Sequence, residues 1–329
     1  MRRARPAARS PGLIYVRRVT LIDRLSSAAP DLCFYGLAPP KLGTDPARLA
    51  AIVEAQTARL QQLAPDALVI YDLQDESDRQ AGPRPFPFLP TIPPTEYAYQ
   101  ALQAVSIPKI VYRCVARDTP ESLSRWMSAP APDGVVSPRL AVLVGAPTNR
   151  APSSLALADA YGVARPFAND WWIGGIAIAE RHARRGDEHE RLVQKTAAGC
   201  RFFVTQAVYD AAATKSLLSD YARALRQSGR APVPIIFTFS PCGSPTTLKL
   251  LKWLGIAFPR WLENELLDAR DILDTSLRLC RETWRDVLGF ARAKGLPVGL
   301  NVESISIRKE EVEASAALFT ALRAELREG

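Results

Sequence analysis

The stretch Asp170–Asp210, DWWIGGIAIAERHARRGDEHERLVQKTAAGCRFFVTQAVYD, decides the fold. Its opening run, Trp171 to Ala177, carries Ile and aromatic side chains and suits a strand buried on both faces. AERH follows directly, so Glu180 and His182 are read as polar residues just past the strand end. A charged loop then leads into a helix with Leu192, Val193 and Lys195, closed by Gly199. FFVTQ makes a second buried strand that ends in Thr205 and Gln206. This strand-helix-strand unit brings Glu180, His182, Gln206 and Tyr209 to one edge of a parallel sheet, the edge at which such sheets bind ligands.

The same unit recurs on both sides. Apolar runs at 32–37, 67–72, 109–114 and 140–145 precede it, and runs at 233–239 and 297–305 follow. Helical patterns separate them. Two of these helices start on clear caps, Asp45-Pro46 and Thr119-Pro120, and a helix over 95–105 follows the long polar, Pro-rich connection 73–94. Segments 246–254 and 259–294 lie between the seventh and eighth strands, and a helix over 308–326 closes the chain. Eight strands alternating with helices imply an α/β fold that closes into a (β/α)8 TIM barrel, with an extra helical segment between strands 7 and 8. An open doubly wound sheet is the alternative; it usually carries fewer strands and a Gly-rich first turn, and no GxGxxG follows any strand here. The barrel is expected to occupy residues 13–329 as one domain. The extra segment carries Trp261, Leu266, Leu273 and Trp284, which either pack on the barrel or form the contact of a homo-oligomer.

Bulk composition narrows the function. The 329 residues, 47% hydrophobic, can bury one large core or two ordinary ones. The net charge of +8 is concentrated in six arginines before the first acid, Asp23, which leaves 36 basic and 34 acidic residues for the rest. A nearly neutral body with a basic tail points to a small-molecule ligand and away from nucleic acid. Residues 1–12, mostly Arg, Pro, Ala and Ser, read as a disordered leader. The five cysteines lie far apart without metal-ligand spacing, as expected of reduced thiols in a cytoplasmic protein, and no metal site is expected. No apolar run approaches the roughly 20 residues that span a bilayer, so no membrane partner is expected.

In a barrel of this kind the chemistry sits at the strand C-termini. That rule nominates Gly36 and Lys41 after strand 1, Tyr71, Asp72 and Glu76 after strand 2, Arg113 after strand 3, and Thr148, Asn149 and Arg150 after strand 4. Strands 5 and 6 offer Glu180, His182, Gln206 and Tyr209; strands 7 and 8 offer Thr238, Ser240, Asn301, Glu303 and Ser306. Each can equally cap a helix or satisfy loop backbone. Two stand out. His182 is one of only two histidines, the other being His189, and Gln206 ends an apolar run where its amide needs a polar partner. Lys195 is read either as a solvated helix position or as a phosphate contact.

These residues resemble the methylenetetrahydrofolate reductase family over about 33–323. AERH stands where that family has PE-x-H, and QKTAAGCRFFVTQAVYD is similar to its K-x-x-x-G-A-x-x-x-x-T-Q-x-x-x-D signature. The resemblance implies flavin contacts at Glu180, His182, Glu188 and Lys195, substrate contacts at Gln206, Tyr209 and Asn301, FAD as cofactor, and NAD(P)H as reductant. Three departures matter. Gly36 stands where the family carries a proton-donating glutamate, Val144-Gly145-Ala146 replaces Arg-Gly-Asp, and Ile178 replaces a tyrosine beside the flavin. A positioned general acid is worth about 10²- to 10⁴-fold in rate. In a closed barrel strand 8 lies beside strand 1, so Glu303 can reach the space that Gly36 leaves and act as a relocated catalytic acid.

The expected function is a reductase interconverting 5,10-methylenetetrahydrofolate and 5-methyltetrahydrofolate, with FAD retained, or with FAD lost and direct hydride transfer from the nicotinamide. The alternative is a non-redox protein that binds or serves reduced folate after losing reductase chemistry. A third reading is a methyl-transferring barrel that works with a corrinoid partner.

Overall fold

The computed structural model describes residues 20–27, 31–77, 82–135, 138–146 and 153–328. The expected leader, and Thr148, Asn149 and Arg150, lie outside them. Eight parallel strands form a closed barrel in sequence order: β1 Cys33–Leu37, β2 Ala67–Ile70, β3 Lys109–Cys114, β4 Arg139–Val144, β5 Trp171–Ala177, β6 Phe202–Ala207, β7 Ile235–Phe239 and β8 Val298–Glu303. The ring is sealed where β1 pairs with β8, Phe34 opposite Asn301 and Gly36 opposite Glu303.

Strand alternation sorts the side chains into two cores. Phe34, Val69, Ile110, Val142, Phe202 and Ile236 fill the lumen. Residues of the opposite parity, such as Tyr35, Leu68, Val111 and Phe203, face the surrounding helices. Gly174 is the small residue in a large-small pairing: a Cβ there would lie 2.6 Å from the Phe202 ring. Leu25 and the neighbouring Leu21 and Ile22 of the short helix α1 (Leu21–Leu25) join the lumen core.

The first four helices after α1 are α2 (Pro46–Leu63), α3 (Pro94–Glu96), α4 (Pro120–Ser128) and α5 (Leu157–Ala164). The expected helix over 95–105 is instead the single turn α3 running into a π-helical turn, Tyr97–Ala101. The bond from Leu102 N to Tyr97 O (3.0 Å) spans five residues. The wider turn lets Tyr97 and Leu102, both fully buried, face the core together, which α-helical spacing would not allow.

After β5 the chain forms α6 (Ala179–Arg185) and α7 (Glu188–Ala197), joined through Gly186 in the left-handed region (φ 73°). AERH is therefore the start of a helix and not a loop leaving the strand. The remaining helices are α8 (Ala211–Ser228), α9 (Pro245–Trp253), α10 (Arg260–Asp268), α11 (Ile272–Ala293) and α12 (Lys309–Glu328). The expected segment 259–294 is thus two helices, the second capped by the Asp271 carboxylate accepting from Asp274 N. No helix among the described residues is long and apolar enough to cross a membrane.

Candidate functional site

Along several strands the lumen changes from apolar to polar toward the C-terminal mouth. Phe202 and Val204 give way to Gln206, Ile236 to Thr238, and Gly299 to Asn301 and Glu303. Above this polar layer opens a cavity of about 990 Å³. That volume is at the top of the roughly 300–1,000 Å³ range of small-molecule sites.

The floor of the cavity is built around Glu303. Its neighbour across the barrel seam is Gly36, where a Cβ would approach Tyr71 Cε2 to 2.8 Å, Tyr71 Oη to 2.9 Å and Glu303 Cβ to 3.0 Å. Glycine is therefore what allows carboxyl and phenol to share this corner. Tyr71 packs edge-on to Tyr112 at 4.9 Å, and both rings line the cavity beside Glu303. Burial among these rings pushes the Glu303 carboxyl up to about 7, a rise that a hydrogen bond with Tyr71 partly offsets. Burial, followed by the nearby Glu303 charge, raises the Tyr71 hydroxyl well above 10 and keeps it protonated. The result is a carboxyl group poised between its two states near neutral pH.

Asn301 lies one layer below. Its Nδ2 donates to Tyr71 Oη (2.8 Å) and to Thr238 Oγ1 (3.2 Å), and the residue is fully buried. It supports Tyr71 and does not line the cavity. Gln206 does line it, donating from Nε2 to Leu254 O at 3.4 Å. A bulge in β6 sets it there: Val204 pairs with Ile236 and Ala207 with Thr238, so two residues oppose one. Thr205 Oγ1 takes the Thr238 N–H (2.9 Å) within the bulge. Asp72, also at the cavity, accepts from Cys114 N (2.7 Å) and Gln74 Nε2 (2.7 Å), while burial raises its carboxyl.

A cationic wall stands on another side, formed by Arg181, Arg184 and Arg185 of α6 and Arg191 and Lys195 of α7. Behind it sits Glu188, with no exposed surface. Its carboxylate accepts from Arg181 Nη1 (2.8 Å) and Ile178 N (3.2 Å) and lies 3.8 Å from Lys195 Nζ. Lys195 Nζ also donates to Ile176 O at 2.6 Å, and burial lowers its pKa below the usual lysine value. Glu188 thus orients the wall from behind. Arg184 and Arg185 form no ion pair with another described residue.

Of the expected site residues, the cavity gathers Glu303, Gln206 and Lys195, together with Tyr71, Asp72 and Glu76 from the end of strand 2. Several others lie elsewhere. His182 was expected at the mouth, but α6 turns its ring toward α8, where Nε2 lies 3.1 Å from Asp220 Oδ2. Successive helical residues are rotated by about 100°, so a face that presents Arg181, Arg184 and Arg185 to the cavity turns His182 aside. Glu180, on the same helix, is buried, accepts from Ala257 N (3.3 Å) and has its carboxyl raised by burial. Tyr209 donates its hydroxyl to Ser240 O and stacks on Phe258 at 4.3 Å, outside the lumen. Arg113 is paired with Asp118, with Nη2 2.6 Å from Oδ1. Tyr112 and the four arginines of the wall were not singled out in the sequence. Their signal was present in the i, i+3 and i, i+4 spacing of basic residues on either side of Gly186, 181, 184 and 185 before it and 191 and 195 after it.

The flavin contacts implied by the family resemblance can be tested against this geometry. Glu180, His182 and Glu188 all lie off the cavity, and Lys195 alone of the four reaches it. The residues do not assemble into that flavin site.

No protein-family model and no curated protein matches the chain. Among solved structures, a GH113 beta-1,4-mannanase aligns at 10% identity over 91% of this chain and 100% of its own, with a TM-score of 0.51, a likeness of fold alone. An uncharacterized protein from Clostridium thermocellum, which binds two copies of 5-methyl-5,6,7,8-tetrahydrofolic acid, aligns with a TM-score of 0.80. With 39% identity over 93% of this chain and 99% of that one, the chain belongs to the same family as the Clostridium thermocellum protein.

Proposed function

We infer that this protein binds a reduced folate, 5-methyltetrahydrofolate or a close relative, in the mouth of its barrel. The observation that carries the reading is the pairing of a hydrogen-bonding floor with a cationic wall across one cavity. A reduced pterin presents an N–H and an amino group that a carboxylate accepts, which suits Glu303 and Asp72, with the Gln206 amide beside them. The far end of a folate carries glutamate carboxylates, the anions for which arginine forks are suited. The Clostridium thermocellum relative binds two copies of such a ligand, and a cavity of about 990 Å³ is in keeping with that stoichiometry.

Calorimetric titration of the full chain with (6S)-5-methyltetrahydrofolate tests this. Saturable binding is expected, weakened about tenfold or more by the double substitution Arg184→Ala/Arg185→Ala. Absence of binding at millimolar ligand would refute the proposal.

A second reading keeps redox chemistry. The Glu303 carboxyl near 7 favours it, because it is placed to hold and release a proton beside a bound pterin. Since three of the four implied flavin contacts, Glu180, His182 and Glu188, lie off the cavity, this version takes hydride directly from NAD(P)H as co-substrate. It predicts nicotinamide oxidation with 5,10-methylenetetrahydrofolate and its loss in Glu303→Gln with folding unchanged. A 450 nm flavin band in freshly purified protein would instead restore the cofactor.

A further inference from the structure

On the outer side of α6, away from the cavity, His182, His189 and Asp220 bring one possible ligand atom each to within 4.8 Å of one another. They come from three helices, α6, α7 and α8. The two imidazole rings meet edge to face at 5.3 Å, and His182 Nε2 lies 3.1 Å from Asp220 Oδ2. A neutral imidazole has one donor and one acceptor nitrogen. His182 is only 5% exposed and turns its Nε2 to Asp220, while the Nδ1 of His189 is buried without a hydrogen-bond partner. Such a nitrogen, shut away from water and from donors, is unsatisfied unless something else meets it.

We propose that this cluster is a binding site for a divalent transition-metal ion, zinc being the natural probe. Two imidazoles and one carboxylate form a familiar zinc donor set, with water free to complete a tetrahedron. Zinc bonds of about 2.0–2.1 Å put neighbouring tetrahedral ligands roughly 3.3 Å apart. The His182–Asp220 separation already matches that edge. His189 is partly buried and the Asp220 side chain is half-exposed, so rotation of these two closes the rest. The ion would clip α6 and α7, which carry the cationic wall, to α8. This proposal is independent of the folate reading, because no residue of the cluster lines the cavity.

The chain has only two histidines, and both are in the cluster, so the test is unusually clean. Untagged, reduced full-length protein is titrated with zinc by calorimetry, alongside His189→Ala and Asp220→Asn. These two positions are chosen over His182 because they are less buried; circular dichroism verifies the fold of each variant. The expected result is one zinc per chain, affinity reduced at least tenfold in each variant, and a Tm raised a few degrees by saturating zinc in the wild type alone. Absence of saturable binding to the wild type, or unchanged affinity in either variant, would overturn the proposal.

Discussion

The Glu303 carboxyl occupies a corner made of two phenol rings and a bare backbone, and its behaviour with pH follows from that setting. Its folded-state value, about 7, lies above the ordinary 4.5, so the folded protein holds this proton more tightly than the unfolded chain. The associated stability is fully present below about pH 4.5 and is lost as pH rises through 7. At one pKa unit per 1.36 kcal/mol the loss is at most roughly 3 kcal/mol. Glu303→Gln removes the ionisation while keeping the shape. Its stability relative to wild type, from urea unfolding, should therefore rise between pH 5 and pH 8; a difference that stays flat with pH contradicts this environment. Gly36→Ala makes the complementary test. The added methyl meets Tyr71 and Glu303 at 2.8–3.0 Å, so the ring must move. Overpacking of this kind costs about 1–3 kcal/mol, and folate affinity should fall with it.

Helices α6 and α7 convert a stripe of charge into a wall. Glu188 has no exposed surface, so its charge is tolerable only because Arg181, Lys195 and the Ile178 N–H surround it. Glu188→Gln leaves Arg181 and Lys195 without their shared counter-charge. Arg181 keeps some solvent contact, so the expected loss is roughly 2 kcal/mol, below the about 3–5 of a wholly buried pair. Denaturant unfolding measures it. The same helices mark where the sequence was legible and where it was not. Runs such as FFVTQ are apolar because both faces of a barrel strand are covered, and that pattern reveals strands, their order and the seam joining Glu303 to Gly36. AERHARR carries no such period. Seven residues bounded by a glycine read equally as loop or helix, and the choice decides which way His182 points. Reading it as a loop just past the end of β5 placed the imidazole at the mouth; the helix turns it to Asp220 and brings Arg181 to the cavity instead. Tyr112 was hidden for another reason. Its importance comes from Tyr71 and Glu303, on two other strands, and no local pattern expresses that contact.

The segment between β7 and β8 determines how the finished barrel presents itself to solvent. Leu266 and Trp284 are buried against the barrel, whereas Trp261 is 59% exposed, so most of the segment's apolar content belongs to the outer shell. Trp284 is its keystone: the ring packs on Phe239 at 5.7 Å and Phe237 at 6.4 Å, and Nε1 donates to Leu322 O at 3.2 Å. One side chain thereby joins β7, α11 and α12. Trp284→Ala should cost about 3–5 kcal/mol from cavity formation. In a chain of this length that corresponds to a Tm lowered by on the order of 4–7 °C. Trp261→Ala removes an equally large ring that is more than half exposed, so its stability should change far less, by about 0.5 kcal/mol. Thermal unfolding of the two variants checks the contrast, and light scattering of Trp261→Ala adds a second reading. A loss of stability comparable to that of Trp284→Ala, accompanied by a fall in particle mass, would mean that a second copy of the chain covers Trp261. The segment would then be a subunit contact as well as part of the barrel's shell.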